Sequence, residues 1–209
     1  GCGLVQLKQS YNVSEMYSTN YGYRSGLNKS MVNHLLQKIK NILNYVKLNR
    51  GDTVIDIGSN DGTSLSCYRP NLYKLYGVDP TANKFLEYYR KDIKVIPDFF
   101  SINLLKNHSI DVAKIITSFS MFYDLEDPID FAKSIKQTLH KDGVWIFEQS
   151  YLPFMLKTNS FDTICHEHLE FYSLKQILYI LKRAGLKVIA LEFNDINGGS
   201  ISVSATHEE

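Results

Sequence analysis

The chain has 209 residues, 44% of them hydrophobic and 22% charged, which suits one globular domain with a full core, alone or with an appendage. The 23 Lys and Arg residues nearly balance the 22 Asp and Glu residues, so the net charge of +1 argues against a broad basic surface for nucleic acid. Apolar runs are too short to span a bilayer, the first ten residues do not resemble a signal peptide, and three widely spaced cysteines do not make a disulfide framework. We therefore expect a cytoplasmic globular protein, with an enzyme as the default class.

Strand-like and helix-like segments alternate along the chain. Apolar residues at helical spacing predict a first helix over residues 28–48, which Asn28 or Ser30 can cap. Short β-branched runs predict strands over residues 53–58, 72–79, 92–97, 113–119 and 143–149, and helical patterns fill the gaps at residues 82–91, 127–140 and 173–184. Two more predicted strands, residues 186–193 and 200–206, close the chain.

Repeated strand–helix units predict an α/β fold in which a mostly parallel sheet has helices on both faces. The last two strands are joined only by the segment NDINGG, which is too short for a right-handed crossover, so they should pair antiparallel, with the final strand inserted antiparallel into the sheet. This pattern favours a class I methyltransferase (Rossmann-like) sheet over a dinucleotide dehydrogenase. It assigns residues 28–209 to the main domain and leaves residues 1–27, polar and rich in tyrosine, as an N-terminal appendage.

A glycine-rich loop with the sequence DIGSNDGT follows the first strand of the predicted sheet, where open α/β sheets bind nucleotides. A dinucleotide-binding loop would need glycine at the positions of Asn60 and Thr63, and no Gly-Lys-Ser/Thr of a P-loop follows. An acidic loop cradles phosphate poorly and suits a cationic ligand with an amino-acid tail, such as S-adenosylmethionine, while its glycines let the backbone approach that ligand. The predicted contacts from this loop are Asp56, Gly58, Ser59, Asn60, Asp61 and Gly62.

The ends of the next three strands supply further predicted contacts to the same ligand. Asp79 in the GVDP motif is placed to bind both ribose hydroxyls, with Pro80 after it, although Asp79 could equally cap a helix. Asp98 and Phe99 offer an acceptor for the adenine edge and a ring for its face. Ser118 lies at the end of the fourth strand, beside the expected methionine end of the ligand. Because successive strand ends agree, they predict a site for S-adenosylmethionine.

A cluster of histidine and glutamate lies in the segment FDTICHEHLEFYS, after the fifth strand, at the edge where the ligand should bind. In one interpretation its histidines are surface or core residues before the next helix. In a second, Cys165, His166 and His168 bind a metal, although their spacing matches neither HExxH nor a CxxC zinc site. In a third, one histidine is a general base that Glu167 orients or tunes. We favour the base because the cluster should face a methyl donor.

Taken in order, these motifs resemble the S-adenosylmethionine-dependent deoxysugar C-methyltransferase family, which acts on nucleotide-linked keto sugars. The matching pieces are CGLVQL (residues 2–7), YGYRS (21–25), DIGSNDGT (56–63), GVDP (77–80), DTICHEHLEFYSL (162–174) and NGGSI (197–201). The resemblance implies an N-terminal zinc module, a central donor-binding domain and a C-terminal α/β domain. Cys2 matches the last zinc ligand without its partners, so we expect a fragment that lacks most of the zinc module and of the C-terminal domain, with zinc only in a full-length form.

The resemblance also implies a reaction. A base removes the proton beside the ketone of the sugar, and that carbon then takes the methyl group from S-adenosylmethionine. His168 is the implied base, Glu167 supports it, and His166 completes the catalytic cluster. Tyr21 and Tyr23 resemble residues that close over the donor and the sugar.

Two positions depart from the family pattern. The family often has tyrosine where Cys165 stands, and it tends to carry histidine where this chain has Tyr123 and Asp124. Cys165 and Tyr123 are therefore the candidate sugar contacts, with Asp124 as the alternative to Tyr123. The expected partner is a small-molecule substrate, a nucleotide-linked sugar, rather than nucleic acid or a membrane. Two other functions stay open: an O- or N-methyltransferase of another small metabolite, and a donor-binding fragment without activity.

Overall fold

A seven-stranded β-sheet organises the computed structural model, which describes residues 3–17 and 21–208. The strands in chain order are β1 (Val5–Gln6), β2 (Thr53–Ile57), β3 (Lys74–Val78), β4 (Ile93–Ile96), β5 (Ala113–Phe119), β6 (Leu139–Ser150), β7 (Glu170–Phe171), β8 (Leu186–Asn194) and β9 (Ser200–His207). The α-helices are α1 (Val13–Met16), α2 (Lys29–Tyr45), α3 (Ile102–Asn107), α4 (Pro128–Thr138), α5 (Leu152–Thr158) and α6 (Leu174–Ala184). β1 and β7 pair antiparallel outside the large sheet, which contains the other seven strands.

The order of strands across the large sheet is β4-β3-β2-β5-β6-β9-β8. The strands from β2 to β6 run parallel, and β9 pairs antiparallel with β6 on one side and with β8 on the other. The short connection between β8 and β9 permits a hairpin and leaves no room for a crossover helix. The predicted parallel sheet with an inserted antiparallel strand is therefore confirmed.

Both faces of the sheet are covered, because successive side chains of a strand point to opposite sides. In β2, Ile55 and Ile57 face a core that includes side chains of α4 and α6, whereas Val54 faces a second core that includes side chains of α2. All three strand residues are almost fully buried. Burial on both faces explains why these strands are near-continuous hydrophobic runs in the sequence.

Several elements differ from their predicted extent or type. The predicted helix over residues 82–91 is a 3₁₀ helix, Ala82–Tyr88, whose two buried residues lie three apart, as a turn of three residues requires. The helices α3 and α5 have six and seven residues, too few for a helical period to be visible in the sequence, and they add to the predicted set. β6 begins at Leu139, before the predicted start at residue 143.

The N-terminal residues pack on the domain rather than forming a unit of their own. β1 is hydrogen-bonded to β7 in the register Val5 to Phe171, and the Leu7 N–H donates to the Leu169 carbonyl over 2.8 Å. The residues around Tyr23 run along the glycine-rich loop at the carboxyl end of β2. No helix in the two described ranges is long and apolar enough to cross a membrane.

Candidate functional site

The glycine-rich loop is held in one shape by the ring and hydroxyl of Tyr89. Gly62 has a φ of +75°, and a β-carbon at this position would lie 2.6 Å from the Tyr89 ring, so only glycine fits without rearrangement. The Tyr89 hydroxyl donates to the Asn60 carbonyl over 2.8 Å and lies 2.7 Å from the Ser59 hydroxyl. Gly62 therefore serves the packing of the loop, while Gly58, with a φ of +74°, lies at the cavity described below.

Asp56, at the end of β2, is buried and engaged by two hydroxyl groups. Thr117 Oγ1 donates to Asp56 Oδ1 over 2.5 Å, and the Ser64 hydroxyl donates to Oδ2. Burial raises the pKa of Asp56 to about 6, against these two hydrogen bonds, which favour the charged form. Asp56 lines the cavity and ties β2 to β5 beneath the loop.

Asp79 lies just after the carboxyl end of β3 and accepts a hydrogen bond from the glycine-rich loop. Its Oδ2 accepts the Asn60 N–H over 2.8 Å, and its Oδ1 accepts both the N–H and the hydroxyl of Thr81, each over 2.6 Å. A carboxylate oxygen can accept two hydrogen bonds, so Oδ2 keeps a lone pair for a ligand hydroxyl. Both Asp79 and Pro80 line the cavity, in keeping with the predicted ribose contact.

A cavity of about 1140 Å³, part of it open to solvent, lies over the carboxyl ends of β2 to β5. Its acidic lining residues are Asp56, Asp79 and Asp124, and no Lys, Arg or His is among the described residues that line it. A phosphate-bearing cofactor would need positive charge or a cluster of free N–H groups there. The lining therefore fits a cationic, phosphate-free ligand such as S-adenosylmethionine, and it fits a dinucleotide poorly.

Aromatic side chains form one wall of the cavity. Phe99 and Phe100 follow β4, and Phe99 is 41% exposed, so its ring is open to a ligand. The Tyr17 ring lies edge-on to Phe99, with 6.4 Å between ring centroids, and 5.3 Å from the Tyr21 ring. Asp98, the predicted adenine acceptor, accepts the Phe99 N–H over 2.7 Å and is not among the lining residues.

Asn60 and Asp61, both predicted to contact the methyl donor, form hydrogen bonds with residues 21–26, which we call the N-terminal segment. The Asn60 amide accepts the Ser25 N–H over 2.9 Å and donates to the Tyr23 carbonyl over 3.0 Å. Asp61 Oδ2 accepts the Gly26 N–H over 2.9 Å. Asn60 still lines the cavity, whereas Asp61 faces away from it. The segment thereby becomes a wall of the cavity, to which Tyr21 and Tyr23 contribute.

Ser118, the predicted contact at the end of β5, points into the core. It is fully buried, and its hydroxyl accepts the indole N–H of Trp145 over 2.9 Å. Because side chains alternate along a strand, its neighbour Phe119 faces the cavity, followed by Ser120 and Met121. The alternation of side-chain direction along the strand at residues 113–119 was the signal that could have excluded Ser118 from the predicted ligand contacts.

The loop after β5 ends in two polar residues, the buried Tyr123 and the half-buried Asp124. The ring centroid of Tyr123 lies 4.1 Å from that of His168. Asp124 lines the cavity, and its Oδ2 accepts the Tyr17 hydroxyl over 2.8 Å, while its buried Oδ1 has no hydrogen-bond partner among residues 3–17 and 21–208. Burial raises the pKa of Asp124 well above its usual range; the Tyr17 hydrogen bond opposes this shift, and the charge of Glu167 adds to it.

His168 is half-buried and has a defined tautomer. Its Nδ1 lies 2.7 Å from the Thr163 carbonyl oxygen, which can only accept, so the ring proton is on Nδ1 and Nε2 is bare. Burial lowers the pKa of His168, although the Thr163 hydrogen bond and the charge of Glu167 oppose that shift. A neutral imidazole with a free Nε2 is the state that a general base needs.

The rest of the predicted cluster lies at a shallower depression beside α1, lined by Cys165, His166 and Glu167. His166 is exposed and meets Tyr11 edge-to-face, with ring centroids 4.9 Å apart. Burial raises the pKa of Tyr21, and the charge of Glu167 is the next largest cause of this shift. Because Tyr21 lines the cavity, the Glu167 carboxylate lies close to the cavity wall. Within the described residues no group of three His, Cys, Asp or Glu side chains is arranged to hold a metal, and Cys2 lies outside them.

The structure thus brings only part of the predicted set to the cavity. The predicted residues that line it are Tyr21, Tyr23, Asp56, Gly58, Ser59, Asn60, Asp79, Pro80 and Phe99. Those that do not are Asp61, Gly62, Asp98, Ser118, Tyr123, Cys165, His166, Glu167 and His168. Sequence reasoning missed Tyr17 and Met121, among others, whereas it did place Ser120 at the strand end beside the ligand. Nothing in the aperiodic N-terminal residues could have singled out Tyr17 from the other tyrosines.

Comparisons with known proteins agree with this architecture. Residues 29–191 match the model of a family described as "Methyltransferase domain". The chain is 27% identical over 208 residues to the C-methyltransferase NovU of Streptomyces niveus, in a match that covers 98% of this chain and 49% of NovU. It is also 30% identical over 113 residues to a tRNA U34 carboxymethyltransferase of Campylobacter lari, covering 52% of this chain and 38% of that enzyme. The chain spans about half or less of the length of these curated relatives.

A solved structure shares the fold. The S-adenosylmethionine-dependent methyltransferase from Clostridium acetobutylicum superposes with a TM-score of 0.63 at 14% sequence identity, over 85% of this chain and 92% of that one. At this identity the likeness concerns the fold alone.

Proposed function

The chain belongs to the methyltransferase domain family and is an S-adenosylmethionine-dependent methyltransferase, and from that premise we propose that it methylates the carbon beside the ketone of a nucleotide-linked deoxysugar. The observation that carries the proposal is the state of His168, whose Nδ1 is bound by Thr163 and whose Nε2 is bare. The similarity to the C-methyltransferase NovU over nearly the whole chain supports it.

We propose a place for each part of the methyl donor against the cavity residues. S-adenosylmethionine supplies an electrophilic methyl group when it is bound. Asp79 Oδ2 would accept a ribose hydroxyl, the open ring of Phe99 would hold the adenine, and the backbone at Gly58 would hold the amino-acid tail. The acidic lining stabilises the positive sulfonium, since carboxylates attract a cation strongly in a site of low dielectric constant.

His168 takes the role of base because a C–H bond beside a ketone is acidic enough for an imidazole to deprotonate. A positioned general base contributes about 10²–10⁴-fold to such a step. The His168 ring contacts Tyr123, which is followed by the cavity residue Asp124, so the base lies next to the part of the cavity beyond the donor loop. Glu167 lies beside His168 and favours the imidazolium that forms when the proton arrives.

The nucleotide part of the acceptor belongs outside this cavity. A diphosphate needs positive charge, and no Lys, Arg or His is among the described residues that line it. We therefore place only the sugar ring between the donor and His168. We further propose a cytoplasmic location, in line with the composition, and a zinc site to which Cys2 would contribute one ligand.

The test is turnover with a panel of nucleoside diphosphate 4-keto-6-deoxysugars and S-adenosylmethionine. We expect S-adenosylhomocysteine to form together with a sugar that has gained one methyl group. The panel is prepared with deuterium on the carbons beside the ketone, and loss of one deuterium per methyl group identifies C-methylation. Methylation with full retention of deuterium would instead identify an O-methyltransferase. Calorimetric binding of S-adenosylhomocysteine without turnover on any sugar would identify a donor-binding fragment.

A further inference from the structure

The loop that carries His168, residues 165–169, has little backbone support of its own, and we call it the His168 loop. It ends where β7 begins. In the part of the chain that the structure describes, the Leu169 carbonyl is the one backbone group of this loop with a backbone hydrogen-bond partner. That partner is the Leu7 N–H, 2.8 Å away. The conformation of the loop therefore depends on contacts that come from outside it.

β1 supplies this outside contact from the beginning of the chain. It pairs antiparallel with β7, and no other described strand pairs with β7. Leu4, just before β1, packs against the buried core, so β1 is itself anchored to the domain. Since Leu169 directly follows His168, the hydrogen bond from Leu7 fixes the backbone one residue away from the base.

A second contact from the same end of the chain reaches the other side of His168. The Tyr11 ring meets the His166 ring edge-on, with 4.9 Å between ring centroids. Such an edge-to-face pair contributes free energy beyond the area that it buries. Both side chains are exposed, so the pair lies outside the hydrophobic core. Leu7 and Tyr11 thus contact the His168 loop on both sides of the histidine.

The contacts that define the His168 imidazole need an accurately placed loop. Its Nδ1 donates to the Thr163 carbonyl over 2.7 Å, and its ring centroid lies 4.1 Å from that of Tyr123. A small shift of the loop would break this hydrogen bond, because hydrogen bonds weaken steeply beyond their normal distance. A misplacement of about 1 Å at a reacting group can lower a rate by about 10²-fold.

We propose that Leu7 and Tyr11 are positioning residues for His168, which hold its loop from outside and keep Nε2 of the imidazole aimed at the acceptor carbon. The inference rests on the proposed function and deepens it. Leu7 acts through its backbone N–H and Tyr11 through its ring. Neither residue is among those that line the donor cavity, so the methyl donor should bind equally well without their contacts.

The first experiment removes the Leu7 N–H. Proline has no backbone N–H, so Leu7→Pro deletes the hydrogen bond to Leu169, whereas Leu7→Ala keeps it and controls for the side chain. Gln6→Pro is the matched proline control, because backbone N–H groups of an antiparallel strand point alternately toward and away from the partner strand. In the panel assay we expect Leu7→Pro to lower kcat by about 10²-fold and the two controls to lower it far less. Calorimetric binding of S-adenosylhomocysteine should stay unchanged in all three variants.

The second experiment removes the Tyr11 ring, whose exposure makes a failure to fold a minor concern. We expect Tyr11→Ala to lower kcat by about 2–10-fold, the worth of an edge-to-face pair, and Tyr11→Phe to keep the wild-type kcat because the ring remains. Tyr179→Ala, which changes a similarly exposed tyrosine on α6, is the control and should leave kcat unchanged.

A third measurement reports on the imidazole without turnover. Nitrogen-15 NMR of histidine-labelled protein is recorded at a pH where the ring is neutral, with His168→Asn to assign the signals. The wild type should show the Nδ1–H tautomer of His168, and Leu7→Pro should show a mixture of both tautomers because the bond to Thr163 is loosened. A contact that only stabilises the fold would change the free energy of unfolding and leave the tautomer as it is.

Three results would overturn the inference: wild-type kcat in both Leu7→Pro and Tyr11→Ala, an equal loss of kcat in Gln6→Pro and Leu7→Pro, or a pure Nδ1–H tautomer in Leu7→Pro. If Leu7→Pro does not fold, the comparison of Tyr11→Ala with Tyr11→Phe decides, and equal kcat values in those two variants would overturn the inference. Absence of turnover on every keto sugar would overturn the proposed function, and the NMR comparison would then decide by itself whether β1 positions His168.

Discussion

The imidazole of His168 donates its Nδ1–H to the Thr163 carbonyl oxygen, 2.7 Å away, and this hydrogen bond decides which ring nitrogen can accept a proton. A backbone carbonyl cannot donate, so the arrangement excludes the tautomer with a proton on Nε2. The contact lies within one short loop, between residues five apart, and it leaves Nε2 as the ring nitrogen of His168 that can accept a proton.

Replacement of that base should separate chemistry from binding. We expect His168→Asn to lower kcat by about 10²–10⁴-fold, because a positioned base contributes that much, and to leave calorimetric binding of S-adenosylhomocysteine unchanged, because His168 does not line the donor cavity. His108→Asn, a change to an exposed histidine, is the control. Wild-type turnover in the His168 variant would remove this residue from the mechanism.

The rate should depend on pH in a direction set by the same residue. Burial lowers the pKa of His168 below its usual value, and only the neutral ring can accept a proton. We therefore expect kcat/KM to rise with pH, with a midpoint below the usual pKa of histidine, and to level off above that midpoint. The profile is measured with wild-type protein in buffers of constant ionic strength. A midpoint above the usual histidine pKa would contradict the assignment.

Gly62 should be needed for the shape of the glycine-rich loop. A β-carbon there would lie 2.6 Å from the Tyr89 ring at a φ of +75°, whereas one at Gly51, with a φ of +86°, would meet nothing within 4 Å. Both alanine variants share the positive-φ strain, about 1–2 kcal/mol, and only Gly62→Ala adds a clash of about 1–3 kcal/mol. Urea unfolding should show the larger loss for Gly62→Ala, together with weaker donor binding. Equal losses for the two variants would show that Tyr89 does not constrain the loop.

Asp79 should contribute to donor affinity through its charge. Its carboxylate accepts three hydrogen bonds from the protein and keeps a lone pair for a ligand hydroxyl. A hydrogen bond to a charged group is worth about 1.5–3 kcal/mol, so Asp79→Asn should weaken S-adenosylhomocysteine binding by roughly 10–100-fold in calorimetry. Asp111→Asn, at an exposed position away from the cavity, controls for the loss of one charge. Unchanged affinity in the Asp79 variant would exclude the ribose contact.

Asp61 should hold the N-terminal segment against the glycine-rich loop. Its Oδ2 accepts the Gly26 N–H over 2.9 Å and lies 3.7 Å from Arg24 Nε. We expect Asp61→Ala to speed hydrogen exchange at the Gly26 amide, while amides of β2 stay protected because the sheet does not depend on this contact. Exchange at Gly26 as slow as in the wild type would show that other contacts hold the segment.

The sheet and one half of the site could be predicted from the sequence, because the residue patterns that specify them are local. Apolar runs that end in glycine or aspartate marked β2 and β3, and the short segment between β8 and β9 dictated the antiparallel insertion. The carboxyl ends of parallel strands meet at one edge, so Asp56, Gly58 and Asp79 could be brought together without coordinates.

Only the tertiary structure decided how individual side chains are used. Asn60 lines the cavity and also binds the backbone at Tyr23, whereas Ser118 accepts a hydrogen bond from Trp145 in the core and does not reach the cavity. Tyr17 meets Asp124 across 107 positions of sequence, a contact that no local pattern can encode. Residue type and spacing specify the strands and their turns, but the burial and hydrogen-bond partners that set a side chain's charge and direction arise only when distant segments pack together.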